Sequence, residues 1–571
     1  MRSQTLLFSA AVVALSAASA AARAETTLTI ATVNNPDMVM MRKYSSNFEK
    51  ATGIELKWLV LEENVLRQRV TTDISTKGGQ FDIITIGMYE TPLWSKAKWL
   101  TPFDDTPEGY DLNDVLPTVR DGLSYEGKLY SLPFYAESTM TFFRTDLFQN
   151  AGVKMPDNPT WSEVAEFAAQ LNDTANGTYG LCIRGQPGWG ENMAIVGLLG
   201  NVWGGQLFDM TWKPGYNSRA WKDAVKFYVD VGNKYGPPGM AGNGFNENMA
   251  LFASGHCAIW VDATVAGGFL FDPKRSQVSD KVGFAQAPIE TWNKGNGWLW
   301  AWALGVPTSS KHVREAKQFI EWATSKDYIK MIGENEGWLT VPPGTRMSTY
   351  DNPAYQIAAP FAKPTLDAIE AADPIHTTRD PKPYVGITFA TIPEMQAIGN
   401  FAGRQVSAAL TGKTTVDAAL DMAAENAERM HRGRLWLDYP GRPRRSARGL
   451  FHGLHPNSTD AQRPAVDALD QIHAGGRCAR SDLSAPHQRR AARHPHRAAP
   501  HHTPGQPAAR RVDALFLFQG GTAGDCGRRA GRRGTAAPAT GFCRAAAGST
   551  RGRLHGADGG DPVLERILLV H

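Results

Sequence analysis

The sequence predicts an α/β protein of two lobes, and three features point to it. Residues 26–87 alternate strand-like and helix-like patterns, and a second alternating set follows residues 127–148. The body of the chain, to about residue 430, is too long for one ordinary domain and long enough for two of about 200 residues each.

TTLTIATV (26–33) is a short β-rich run with partial alternation. PDMVMMRKYSSNFEKATG follows with helical spacing at Met40, Met41, Tyr44 and Phe48, and Gly53 stops it. IELKWLVL (54–61) predicts a second strand, ENVLRQRVTTDISTKGG a helix, and FDIITIG (81–87) a buried third strand. Strand–helix–strand–helix–strand with short links predicts a parallel sheet with right-handed crossovers. Ligands bind such sheets beyond the carboxyl ends of the strands. Those ends are NNPDM (34–38) and MYETP (88–92), and neither carries the glycine-rich signature of a nucleotide site.

In the second set, PTWSEVAEFAAQL opens a helix with Thr160 and Glu163 spaced as a capping box. GLCIRG (180–185) predicts a strand running into the loop RGQPGWGENM (184–193). AWKDAVKFYVDVGNKY is an amphipathic helix, HCAIWVDATVAGG (256–268) a strand with a polar exit, WLWAWALGVP (298–307) another strand, and VREAKQFIEWATS a helix. The loop at 184–193 is unusual. A surface turn needs only Gly, Pro, Asn or Asp, yet this one also holds Arg184, Trp189, Glu191 and Asn192.

The two ends differ from the body. Residues 1–24 carry Arg2, an apolar run from Leu6 to Ala18 and the small-residue site Ala22-Arg23-Ala24, which is the layout of a secretory signal cleaved after Ala24. An N-terminal anchor is the alternative, but the apolar run is short for a membrane span. No Cys precedes Cys182, so a lipoprotein is not expected. Residues 441–571 hold 21 Arg, no Lys and 9 acidic residues, whereas every Trp and Tyr lies before residue 440. The segment 431–571 reads as a frame-shifted or disordered Arg-rich tail rather than a nucleic-acid-binding arm, since it has too little apolar surface to fold. In an oxidising compartment Cys182 and Cys257 are expected to pair, with two buried thiols as the alternative.

Several phrases resemble a known family. YEGKLYSLPFYAESTMTFFRTDLFQNAG followed by PTWSEVAEFAAQL is similar to the crossover region of maltose-binding-like extracellular solute-binding proteins (family 1), the periplasmic receptors of sugar ABC importers. TVNNPDM, RGQPGWGENM, WVDATVAGG, GWLWAWALGVP and PKPYVG resemble the sorbitol/mannitol (polyol) branch. The resemblance covers about residues 25–430. It implies a two-lobed periplasmic binding protein fold, each lobe a mainly parallel sheet flanked by helices, with the ligand trapped between them by hinge closure. By analogy one lobe is 25–134 with 299–338 and the other 135–298 with 339–430. It further implies a monomer without a cofactor, a mannitol-, sorbitol- or arabitol-like ligand, and delivery to a cognate permease in the inner membrane.

A neutral polyol presents a hydroxyl on every carbon, so its site needs acceptors, donors and a flat face for C–H surface. Asp262, directly after an apolar run, is the leading candidate acceptor, with a helix cap as its alternative. Arg184, Trp189 and Asn192 supply donors and a stacking face on the loop, while Glu191 either reaches the cleft or braces the loop. From the first lobe Asn34, Asn35, Tyr89 and Glu90 end strands, and Glu137 lies in the crossover. Trp298 and Trp300 alternate on one sheet face that Trp302 joins; Trp338 and Tyr384 complete the expected set, with Arg379 and Asp380 as further closing residues.

Other function classes find less support. Glu137, Glu191 and Asp262 could be imagined as a glycosidase pair, but nothing matches an acid to a nucleophile. His256, His312, His376 and His431 have no metal-ligand spacing, so neither an enzyme nor a metal site is expected. A nucleic-acid partner would rest only on the tail. A receptor of the same fold for a disaccharide or amino sugar is the closer rival.

Overall fold

A computed structural model of the chain describes residues 26–437. The signal segment 1–24 and all of the expected tail 431–571 except its first seven residues lie outside the described residues; residues 431–437 continue a helix instead. Strand β1 (Thr27–Val33) has alternate burial at its start and full burial at its end. Helix α1 (Pro36–Tyr44) begins with Pro at its first turn, where the missing N–H costs nothing. Strand β2 (Glu55–Leu61) and helix α2 (Glu63–Thr76) follow, the latter capped by Glu62, whose carboxylate accepts from the Val65 N–H. Strand β3 (Ile83–Ile86) is buried throughout. As expected from the strand–helix alternation, β1 pairs in parallel with both β2 and β3.

The chain then enters β4 (Ser131–Glu137) and, after the single residue Ser138, β5 (Thr139–Arg144). These two strands belong to different sheets, so Ser138 is a crossing point. The boundary expected at residue 134 therefore falls inside β4, which runs on to Glu137. Helix α3 (Trp161–Leu171) carries the capping box of Thr160 and Glu163. Strand β6 (Tyr179–Cys182), helix α4 (Asn192–Val202), helix α5 (Arg219–Tyr235), helix α6 (Phe245–Ala253), strand β7 (Cys257–Ala263) and strand β8 (Val282–Gln286) build the second lobe. Strand β9 (Trp300–Gly305) returns to the first sheet and is followed by α7 (Val313–Ala323) and α8 (Lys326–Glu336). Helices α9 (Met395–Leu410) and α10 (Val416–Leu437) close the described chain.

The first sheet has the order β2-β1-β3-β9-β4 and the second β8-β5-β7-β6. β9 runs antiparallel to both its neighbours, and in the second sheet only β6 and β7 are parallel. The antiparallel share follows from the crossings: a strand arriving from the other sheet enters from the opposite end. Cys182 and Cys257 are joined by a disulfide.

Two features tie the lobes at the crossing. The Thr264 N–H donates to the Ser138 carbonyl at 2.9 Å, and the Ser138 N–H donates back to the Thr264 hydroxyl at 3.2 Å. A further segment lies along β4, where the Ala136 N–H donates to the Pro343 carbonyl at 2.9 Å. There Gly344 has φ +76, and a Cβ on it would sit 2.1 Å from the Ala136 carbonyl oxygen, so only glycine allows the approach.

Candidate functional site

The carboxyl ends of β1, β4 and β7 converge with the start of β9 and the loop after β6. Between them lies a cavity of about 570 Å³, its open mouth included. Its walls are aromatic. Trp300 and Trp302, two residues apart on β9, share one face with ring centroids 5.6 Å apart. Trp189 meets Trp300 edge-on at 5.9 Å, and Phe389 lies 5.9 Å from both. Trp298 and Phe245 form the opposite side around Arg184, whose guanidinium is 5.5 Å and 5.3 Å from their rings.

Two buried arginines stand against these aromatics. Arg67 on α2 sits over Trp189, Trp302 and Trp300 at 4.4, 4.9 and 5.0 Å. Its Nε donates to Glu63 at 3.0 Å and its Nη1 to Glu90. Burial pulls this guanidinium down, but Glu63 and Glu90 more than offset it and the group stays charged. Arg184 Nη2 donates to Asp262 at 2.6 Å, Nε to the same carboxylate at 3.0 Å, and Nη1 to the Gly190 carbonyl at 2.9 Å. Its carbonyl in turn accepts from the Tyr228 hydroxyl at 2.8 Å.

Glu137, the last residue of β4, also lines the cavity. Burial raises its carboxyl to about 8, against the pull of Arg184 and with the help of Asp262. At neutral pH it is mostly protonated and has a proton to donate. Asn35 lines the first-lobe wall and donates from Nδ2 to the Tyr135 hydroxyl at 2.7 Å. Asn35, Glu137, Arg184, Trp189, Trp298 and Trp300 are thus brought together as the sequence suggested, and Trp302 joins them.

The other expected residues stand elsewhere. Asp262 is fully buried behind Arg184; its oxygens also take the Trp260 Nε1–H at 3.2 Å and the Ala263 N–H at 2.7 Å, leaving none for a ligand. Glu90 is turned onto Arg67 and the Gly87 N–H, and so holds the arginine rather than lining the cavity. The Tyr89 hydroxyl donates to the Ile392 carbonyl at 3.0 Å while its ring backs Trp189 at 4.8 Å. Asn192 accepts from the Gly188 N–H and donates to the Gly403 carbonyl, bracing the loop on α9. Asn34 is exposed past β1, and Trp338 packs on Gly333 of α8. Tyr384 accepts from the Leu207 N–H at 2.9 Å. Arg379 and Asp380 are mainly exposed. Glu191 is buried with Oε2 3.8 Å from Arg184, and burial, with Glu63 nearby, pushes its carboxyl well above the usual range.

Sequence reading missed Glu63, Arg67, Tyr135, Phe245, Thr388 and Phe389. Arg67 left a signal: it shares the buried side of α2 with Leu66, Val70 and Ile74, where a charge is out of place. Thr388 and Phe389 lie in irregular chain with no periodicity to betray them. Among the described residues no cluster of His, Cys, Asp and Glu has the form of a metal site.

Comparison with known proteins adds four findings. Residues 34–330 match the family of bacterial extracellular solute-binding proteins. A mannitol-binding protein of Pseudomonas aeruginosa is 55% identical over 404 residues, 71% of this chain and 92% of that one. A crystal structure of an ABC transporter solute-binding protein from Agrobacterium vitis S4, with bound D-mannitol, is 52% identical with a TM-score of 0.71, covering 73% of this chain and all of its own. Another from Agrobacterium radiobacter K84, in complex with ribitol, is 25% identical with a TM-score of 0.63, covering 71% and 98%. The paired sheets, the aromatic cavity between them and these matches lead to one conclusion: the chain belongs to the bacterial extracellular solute-binding protein family.

Proposed function

We propose that this protein is the periplasmic ligand-capturing component of an ABC importer for a linear sugar alcohol. The observation that carries the reading is the D-mannitol-bound relative, 52% identical over its full length. The cavity chemistry supports it. Trp189, Trp300 and Phe389 offer flat faces to a carbon chain, and Asn35, Glu137 and Arg184 offer hydroxyl partners around it. On this reading those six residues touch the ligand, while Asp262, Glu90, Tyr89 and Asn192 fix the groups that do. The lobes close by hinging at Ser138 and at the return from β8 to β9, and the closed form is what the inner-membrane permease accepts. The mature receptor starts after Ala24, works as a monomer, and has no catalytic role.

A thermal-shift panel of D-mannitol, D-sorbitol, D-arabitol, ribitol and maltose tests the proposal. Ligand at about 100 times Kd stabilises the folded state by about 2.7 kcal/mol, enough for a Tm rise of a few degrees. A rise with the hexitols and none with maltose is the expected outcome. A rise with maltose alone would assign the protein to a different sugar.

A further inference from the structure

Carboxyl groups outnumber guanidinium groups around the cavity, and their pairing says which ionisable group is left over. Five carboxyl groups, Glu63, Glu90, Glu137, Glu191 and Asp262, surround the two guanidinium groups of Arg67 and Arg184. Both arginines are already ion-paired with carboxylates of the protein. Arg67 gives its Nε to Glu63 and its Nη1 to Glu90, with Nη2 2.9 Å from the same Glu63 oxygen. Arg184 gives Nε and Nη2 to Asp262 and Nη1 to the Gly190 carbonyl. Each therefore has its charge offset within the protein, with N–H groups still left for a ligand hydroxyl. Glu137 is the opposite case: it lines the cavity, is buried, and its carboxyl has no hydrogen bond or ion pair among the described residues.

The ionisable group left unpaired at the cavity wall is thus an acid. Its complement is a donor, and an ammonium group donates more strongly to a carboxylate than a hydroxyl does. We propose that the site also takes cationic amino-alditols, acyclic polyols with a terminal ammonium seated at Glu137, and excludes the corresponding sugar acids. This rests on the sugar-alcohol reading, of which it is an extension. A hexonate would bring a further carboxylate into a cavity with no free cation to receive it, and like charges in a low-dielectric site repel strongly. An amino-alditol keeps the carbon chain and hydroxyls that the aromatic walls accept and neutralises the surplus acid.

Affinity for the amine depends on the charge of Glu137. The charged groups facing it are Arg184 after β6, Asp262 on β7, Glu63 on α2 and Asp37 on α1. Burial, helped by the three acidic neighbours against Arg184, makes Glu137 ionise late, near pH 8, and the amine binds better as pH rises toward that value.

Calorimetric titration of the mature protein with D-sorbitol, D-glucamine and D-gluconate at pH 6 and pH 8.5 tests the proposal. At pH 8.5 D-glucamine is expected within about tenfold of D-sorbitol, and at pH 6 about tenfold weaker than at pH 8.5. D-gluconate is expected to give no heat at either pH. Glu137→Gln should weaken D-glucamine at least tenfold more than D-sorbitol and flatten the pH dependence, a ratio that a general loss of fold would not produce. Binding of D-sorbitol with no D-glucamine binding at either pH overturns the inference and leaves the sugar-alcohol reading intact. D-gluconate binding as tightly as D-glucamine overturns it as well. D-glucamine binding without D-sorbitol would support the charge argument and remove the sugar-alcohol reading.

Discussion

Asp262 shows how a single residue's role turns on what its carboxylate already holds. It ends an apolar run, and sequence alone could not say that both faces of β7 are buried or that Arg184 takes its oxygens. Breaking such a pair strands a buried cation, which costs about 3–5 kcal/mol. Asp262→Ala is therefore expected to destabilise the ligand-free protein by that amount, measured by urea denaturation; an unchanged midpoint would contradict the ion-pair role. Glu137 gives a second residue-scale prediction. The folded protein holds a proton on this carboxyl up to about pH 8, whereas an unperturbed Glu releases it near 4.5. Between those values stability falls as pH rises, because the native state binds more protons than the unfolded one. Glu137→Gln removes that slope. Its Tm should match wild type near pH 5 and exceed it at pH 8.5, and parallel profiles for the two proteins would refute the assignment.

At the scale of elements, the loop after β6 meets the first turn of α2 across the cleft. Gln186 Nε2 donates to Glu62 at 2.8 Å, and a Cβ on Gly190 would lie 2.2 Å from Glu63 Oε1. Gly190→Ala would press on the carboxylate that holds Arg67, so it should weaken polyol binding about tenfold or more while the ligand-free Tm changes by only a degree or two. An affinity equal to wild type would show that the contact does not matter for closure. The helices themselves were largely legible: the Thr160–Glu163 capping box forms as its spacing suggested, and α5 is amphipathic as read. The loop RGQPGWGENM was legible as functional because it carried more chemistry than a turn requires. Less legible was how its side chains divide. Arg184 and Trp189 face the cavity while Asn192 turns back to brace the loop, a choice set by α9, which is distant in sequence.

For the molecule as a whole, the strand–helix alternation before residue 87 fixed the parallel part of the first sheet, but nothing local announced that β9 would insert antiparallel between β3 and β4. That insertion places Trp300 and Trp302 in the cleft, so the aromatic wall depends on a pairing far apart in sequence. The same holds for Phe389, which reaches the site from chain that follows both sheets. The Cys182–Cys257 disulfide staples the second lobe across a sequence separation of 75 residues. Replacing both cysteines by Ser should lower the unfolding free energy by about 2–5 kcal/mol, read from denaturant melts, and no loss would mean the bond contributes little to the native fold. If the space between the sheets is a sugar-alcohol site, isothermal titration of the mature, ligand-free protein with D-mannitol should give one site per chain with a Kd of about 1 μM or tighter; a folded sample that binds no D-mannitol at millimolar concentration would rule that site out.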